Sequence, residues 1–343
     1  MNKSIGNILL SWFEERDRHL PWRDDPSPYH VYLSEIMLQQ TRVEAVKEYY
    51  HRFLLKYPTL ESFVDSTEDE YNKLWQGLGY YSRVRNLHHS CSIILNQYQG
   101  IIPDDYKTLI SLPGIGDYTA CAILSIAYHK PYVALDGNLM RIFSRLTLFD
   151  GNIKEEKSKD MARSFFLPLV SIHPSKINQA LMDIGQLYCL PHGKPHCFSC
   201  PFSSTCKAHQ EGRELDYPVK TEKKNKRSCD KTIFLFRYKN EVCIQKRPSN
   251  GLLASLYEFP NVDSFLSDDD VKRYLNDNHY SYSSFQFIGK GKHIFTHLIW
   301  NMKAYEVILK EKPDGLFVSL EKLKNTYSIP SAFSFITKIL ETE

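Results

Sequence analysis

Apolar positions along the first two-thirds of the chain recur at spacings of three and four. Pro28 opens one such run, through Tyr29, Tyr32, Leu33, Ile36, Met37 and Leu38 and on to Val43 and Val46. A period near 3.6 predicts amphipathic helices, and proline is favoured at a first helical position. The same rhythm predicts helices near 68–75, 82–98, 105–111, 117–128, 137–148, 157–172 and 175–189, punctuated by Pro103, Pro113-Gly114, Pro131 and Pro174. No strand pattern interrupts them, so residues 1–206 read as an all-α domain. Beyond residue 231 the pattern changes. Segments 232–238, 242–245, 285–288, 293–300 and 302–308 are rich in β-branched and aromatic residues and read as strands. Helices fit near 268–275 and 330–341, which makes 231–343 an α+β domain. Between the two, residues 207–230 carry Lys220, Lys223, Lys224, Lys226 and Arg227 with few apolar groups. That stretch reads as a basic linker, of a charge that favours polyanions.

The 343 residues suit about two domains, with enough apolar side chains, 42% of the chain, for real cores. No apolar run approaches the length of a membrane span. The start, Met1 to Leu10, passes directly into Glu14-Glu15-Arg16-Asp17-Arg18, which does not read as a signal peptide. A formal net charge of +3 is too weak to name a partner, so local patterns must decide.

Four of the eight cysteines, Cys189, Cys197, Cys200 and Cys206, fall close together. In a long intracellular chain that clustering points to a metal. Four thiolates at such spacing suit an iron–sulfur cluster or a zinc ion equally. Cys91, Cys121, Cys229 and Cys243 read as ordinary buried or linker residues. Residues 112–120, Leu-Pro-Gly-Ile-Gly-Asp-Tyr-Thr-Ala, form a tight turn before an apolar helix. Exposed backbone N–H groups at such a helix start favour a phosphate. Glu35 sits among Tyr32, Leu33, Ile36 and Leu38, where an ionised carboxylate is costly to bury.

These strings resemble known ones. Leu112 to Ala120 resembles the helix-hairpin-helix of DNA-repair glycosylases. Trp22-Arg23 followed by Ser34-Glu35-Ile-Met-Leu38-Gln39-Gln40-Thr41 resembles the adenine DNA glycosylases, the MutY family. Arg247 to Pro260 and His293-Ile-Phe295-Thr296-His297 resemble the Nudix-like lesion-reading domain of that family, with Thr296 where a serine is usual and without the glutamate run of a Nudix hydrolase. The resemblance implies a multi-domain protein: an all-α helix-hairpin-helix glycosylase domain over 1–206 with an iron–sulfur loop at 189–206, and an α+β Nudix-like domain over 231–343.

It also implies roles. Glu35 would be the general acid and Asp136 the charge that stabilises the sugar cation, with Tyr118 and Asn138 positioning the reacting nucleotide. Trp22, Arg23, Leu38, Gln179 and Met182 would surround the extruded adenine. Gln40, Thr41, Tyr80, Leu112, Gly114, Gly116, Phe295, Thr296 and His297 would meet DNA. Cys189, Cys197, Cys200 and Cys206 would hold one [4Fe–4S] cluster, although the first gap is seven residues where the family usually has six. Bifunctional relatives carry a Schiff-base lysine at the position of Tyr118, so a monofunctional glycosylase is expected, without lyase or pyrophosphohydrolase activity. The expected substrate is double-stranded DNA with adenine opposite 8-oxoguanine or guanine. The expected setting is the bacterial cytoplasm, at the nucleoid, with the chain a monomer. An endonuclease III-like glycosylase for oxidised pyrimidines is the alternative, followed by a non-catalytic DNA-binding protein.

Overall fold

A computed structural model describes residues 3–16, 18–219 and 226–341. Lys220, Lys223 and Lys224 of the expected linker lie outside the described residues. The helices of the first 219 residues are α1 (Lys3–Glu15), α2 (Pro21–Asp24), α3 (Pro28–Leu38), α4 (Val43–Lys56), α5 (Leu60–Val64), α6 (Glu68–Trp75), α7 (Ser82–Tyr98), α8 (Tyr106–Ser111), α9 (Asp117–Ala122), α10 (Gly137–Thr147), α11 (Glu156–Val170), α12 (Pro174–Leu187) and α13 (Lys207–Gln210). Among the described residues seven strands follow: β1 (Arg227–Tyr238), β2 (Glu241–Lys246), β3 (Tyr257–Glu258), β4 (Asn261–Val262), β5 (Tyr282–Ile294), β6 (Leu298–Leu309) and β7 (Leu316–Ser319). With them come α14 (Asp268–Asp277), α15 (Leu320–Asn325) and α16 (Ser334–Glu341). None of the described helices is long and apolar enough to cross a membrane.

The chain forms two compact units, one of residues 1–65 with 86–222 and one of 66–85 with 223–343. The first is helical. Its core includes Leu33, Met37, Ile123, Leu124, Leu139, Phe166 and Leu181, all fully buried. In α3 every residue from Val31 to Met37 is buried, because the helix runs through the middle of the unit rather than along a face. The run expected from Tyr29 to Val46 splits at Gln39–Arg42, where Gln40 turns left-handed with φ +57°. The segment expected as one helix over 117–128 changes pitch instead: α9 passes into a π turn at Ile123–Ala127 whose side chains from 123 to 126 are buried.

In the second unit the sheet order is β3-β2-β1-β6-β5, with β4 on β1 and β7 on β2. β1 and β6 pair in parallel from Arg227↔Leu298 to Arg237↔Ile308. One face buries Leu235, Ile244, Trp300 and Met302 with Phe333 and Ile336, and the other buries Phe234, Phe236 and Val307 against Val271 and Leu275 of α14. The strand expected over 293–300 is corrected: it straddles the β5–β6 turn, because Phe295 N–H donates to Leu298 O across a reversal. The helix expected from 330 starts at Ser334, after a 3₁₀ turn at Ser331–Phe333. Segment 66–85 is tied into this unit by Lys73 Nζ to Tyr327 O (3.0 Å), Gln76 Nε2 to Ile329 O (3.1 Å) and Arg85 Nη1 to Ala254 O (2.6 Å).

Candidate active site

Glu35 and Asp136 line one cavity of about 740 Å³ in the helical unit, together with Trp22, Arg23, Leu38, Tyr118, Asn138, Gln179 and Met182. Glu35 comes from α3 and is 5% exposed. Burial pushes its carboxyl up to about 7, and the nearby Asp136 adds to the rise. The Tyr118 hydroxyl, donating to Glu35 Oε2 at 2.6 Å, and the Arg23 charge pull the other way. Burial wins, which leaves a carboxyl that is protonated and deprotonated around neutral pH.

Asp136 is the N-cap of α10 and accepts from Leu139 N–H (2.8 Å) and Asn138 Nδ2 (2.6 Å). Burial also pushes its carboxyl up, while these two donors hold it down. Two carboxyls in one cavity therefore differ in partners: Glu35 has one phenol, Asp136 a helix start and an amide. From Asn138 the contacts continue, since Arg141 Nη2 donates to Asn138 Oδ1 (2.8 Å) and Arg141 Nε to Cys189 O (2.7 Å).

The wall opposite is built on α12. Gln179 Nε2 faces Ser175 Oγ (3.1 Å) and Ser175 O (3.4 Å). A carbonyl can only accept, so the amide nitrogen is turned to the helix and the amide oxygen is left for the cavity. Asp183 takes Arg23 in a two-pronged pair (2.9 and 3.0 Å) and Arg18 Nη1 at 2.7 Å.

The turn after α8 has Gly114 at φ +77° with both glycines exposed. A Cβ on Gly114 would meet Asn86 Cβ at 2.6 Å, whereas a Cβ on Gly116 would meet nothing within 4 Å. Gly116 is the N-cap of α9 and makes no side-chain cap bond, so the first amides of the helix keep no side-chain acceptor from it. Leu112 is 4% exposed, which leaves only its backbone to reach a ligand. Gln40 is exposed and left-handed, and half-buried Thr41 donates to Gln39 O at 3.3 Å.

In the second unit Tyr80 is also left-handed, φ +49°, and 46% exposed. Non-glycine residues held in this region cost energy and cluster at functional sites. The Tyr80 backbone follows Gly79, whose carbonyl accepts from Trp75 Nε1 (3.0 Å) and Arg83 Nη2 (3.1 Å). Its hydroxyl lies 3.0 Å from Thr296 Oγ1. Thr296 and His297 are exposed, but Phe295 is half-buried against Trp300 at 4.9 Å between ring centroids, so it anchors the turn rather than projecting from it.

Cys189, Cys197, Cys200 and Cys206 line one pocket with the apolar side chains of Ile142, Leu146, Ile184 and Phe202. All four are free thiols. Arg145 Nη1 donates to Cys189 Sγ at 3.2 Å, a contact that suits a thiolate. Beside them Glu214 and His209 stand close to Cys197, with His209 Nδ1 2.6 Å from Glu214 Oε1. The four cysteines thus share one largely apolar pocket, and among the described residues the ligand atoms that lie within 4.8 Å of one another are those of Cys197, His209 and Glu214. Cys91, Cys121 and Cys243 are buried elsewhere.

The HhH-GPD superfamily of base excision DNA repair proteins matches residues 33–166, and the NUDIX domain matches residues 232–339. An adenine DNA glycosylase of Buchnera aphidicola subsp. Baizongia pistaciae is 34% identical over 88% of this chain and 86% of its own. The chain belongs to the adenine DNA glycosylase family. The adenine DNA glycosylase of Arabidopsis thaliana is likewise 34% identical, over 88% of this chain and 56% of its own. Among solved structures a thermostable thymine-DNA glycosylase aligns with a TM-score of 0.55 at 27% identity, covering 61% of this chain and 96% of that one.

For an adenine DNA glycosylase chain, several cavity residues escaped the sequence reading, among them three polar ones, Arg18, Asp183 and Gln186. Asp183 and Gln186 lie four and seven residues beyond Gln179, the helical repeat that puts them on the same face, and that spacing was the available signal. Arg18 belongs to the charged stretch Glu14 to Arg18, whose sequence carries no sign of a site. Its partner lies 165 positions away, and no local pattern reveals that.

Proposed function

We propose that this chain is a monofunctional glycosylase that removes adenine mispaired with 8-oxoguanine or guanine from double-stranded DNA. The observation that carries the reading is the pairing of Glu35, raised to about 7, with Asp136 in one cavity large enough for a nucleoside. The mispaired adenosine is extruded from the stack, at a cost of a few kcal/mol that is least at a mismatch. Glu35 gives its proton to N7, the C1′–N9 electron pair leaves with the base, and water adds at C1′ as its proton passes to the Glu35 carboxylate. Asp136 faces the cationic sugar, where negative charge stabilises the transition state. Gln179 accepts from the exocyclic amine of adenine through the amide oxygen that Ser175 leaves free. Arg18 and Arg23, held by Asp183, offer donors to the ring nitrogens.

Tyr118 has no amine with which to form a Schiff base, hence hydrolysis without strand cleavage. The left-handed Tyr80 enters the duplex, and Thr296 with His297 reads the base opposite the adenine. Cys189, Cys197, Cys200 and Cys206 would hold a [4Fe–4S] cluster, whose contribution when bound is to cross-link the loop from 189 to 206. The setting is the bacterial cytoplasm.

The test is single-turnover excision from duplexes carrying adenine opposite 8-oxoguanine, adenine opposite guanine, and thymine glycol. Release of adenine from the first two is expected, and release of thymine glycol instead would make the enzyme endonuclease III-like. Glu35→Gln should lower the rate by about 10²–10⁴-fold with DNA binding retained. Retention of more than about a tenth of the rate removes Glu35 from the acid role.

A further inference from the structure

We propose that the hairpin end of the β5–β6 face carrying Lys290, Lys292 and Lys303 is a docking surface for the DNA phosphate backbone. In the antiparallel register Lys290 stands opposite Lys303, Lys292 opposite Asn301, and Ile294 opposite Ile299. Alternation along β6 puts Asn301 and Lys303 on the same face as Tyr305 and Val307. At the far end that face is closed, since Tyr305, Val307 and Leu309 pack with Phe234, Val271 and Leu275 under α14. Toward the hairpin Lys290, Lys292 and Ile294 are exposed.

The positive charge there exceeds what the fold neutralises among the described residues. Two lysines directly opposite one another destabilise a sheet. On this face one carboxylate stands nearby, Asp230, which accepts from the neutral Asn301 amide (2.8 Å), while Glu306 with Arg237 (2.5 Å) and Asp263 with Lys231 pair on the other face, so three lysines face one carboxylate. Lys303 instead lies over the ring of Phe265, 4.9 Å from its centroid, which holds the ammonium at the surface. Alternate residues on one strand are about 6.7 Å apart, so Lys290 and Lys292 form a row with Lys303 beside it. A row of cations with no salt-bridge partner among the described residues, on a stiff sheet, suits a regular row of anions. The row leads directly into the turn Phe295-Thr296-His297, assigned above to the base opposite adenine.

This inference rests on the proposed reading of the chain as a DNA glycosylase. Each lysine that neutralises a phosphate steepens the fall of log K with log salt by about 0.9. The experiment measures binding of the full chain to a duplex of about three helical turns, bearing a tetrahydrofuran abasic site opposite 8-oxoguanine, across a salt series. K290Q/K292Q/K303Q is compared with K239Q/K310Q/K312Q, which removes three exposed lysines at the opposite end of the same sheet, one of them paired with Glu241. The first variant should lose about 0.9 to 2.7 units of slope and the second none, with both melting as the parent does. A loss below about 0.9 in the first, or an equal loss in both, overturns the proposal. If the parent excises no adenine, the proposed function fails, yet the slopes still report on this face. Intact excision with unchanged slopes removes the face alone.

Discussion

A single carboxyl shows how far one residue's chemistry depends on what surrounds it. Glu35 was singled out because its neighbours in sequence are apolar, and its 5% exposure follows from that. Its partners did not: Tyr118 is 83 residues away, and the charge of Asp136 arrives with a different helix. The shift has a consequence for stability. A carboxyl raised from 4.5 to about 7 binds its proton more tightly folded than unfolded. Its contribution is therefore fully present below about pH 4.5 and is lost as pH rises to about 7, a loss of about 3 kcal/mol at order of magnitude. Urea midpoints measured from pH 5 to 8 should fall for the parent chain and fall less for Glu35→Gln. Parallel curves for the two proteins would show that Glu35 is not the titrating group.

At the scale of elements, the glycine turn separates two jobs that one motif hides. Gly114 needs its left-handed backbone and its proximity to Asn86, so it serves the fold. Gly116 has φ −92°, which any residue adopts, and open space beyond, so a side chain there obstructs only an incoming ligand. Gly114→Ala is expected to destabilise by about 1–3 kcal/mol in a thermal or denaturant melt. Gly116→Ala should melt within about 0.5 kcal/mol of the parent while weakening DNA binding. Equal melting of the two variants would contradict this division. The helix at 68–75 was legible to the residue, helped by Thr67 and Glu70, which satisfy each other's backbone amides in a capping box. The β5–β6 reversal was not, because His293 to Trp300 is rich in β-branched and aromatic residues and offers no glycine or proline to mark its turn.

Across the whole molecule, the least legible feature is the membership of segment 66–85. Its helical pattern gives no hint that it packs with strands some 170 or more residues later, as in Tyr257 Oη to Asp69 Oδ2 at 3.1 Å. Arg85→Ala should cost about 1–3 kcal/mol, since the carbonyl of buried Ala254 loses its donor at 2.6 Å. An unchanged melting midpoint would show that this tie contributes nothing. What the chain's own order determines is local: periodicity sets helix against strand, proline and glycine set the breaks, and the spacing of Cys197, Cys200 and Cys206 keeps three thiols near one another. Those features need only neighbours within a turn or two. Tertiary structure alone decides which carboxyl is buried beside which, that Asp183 holds two arginines, and that three lysines stand together on one sheet face. Burial and charge act through space, so their effects exist only once distant segments are packed together.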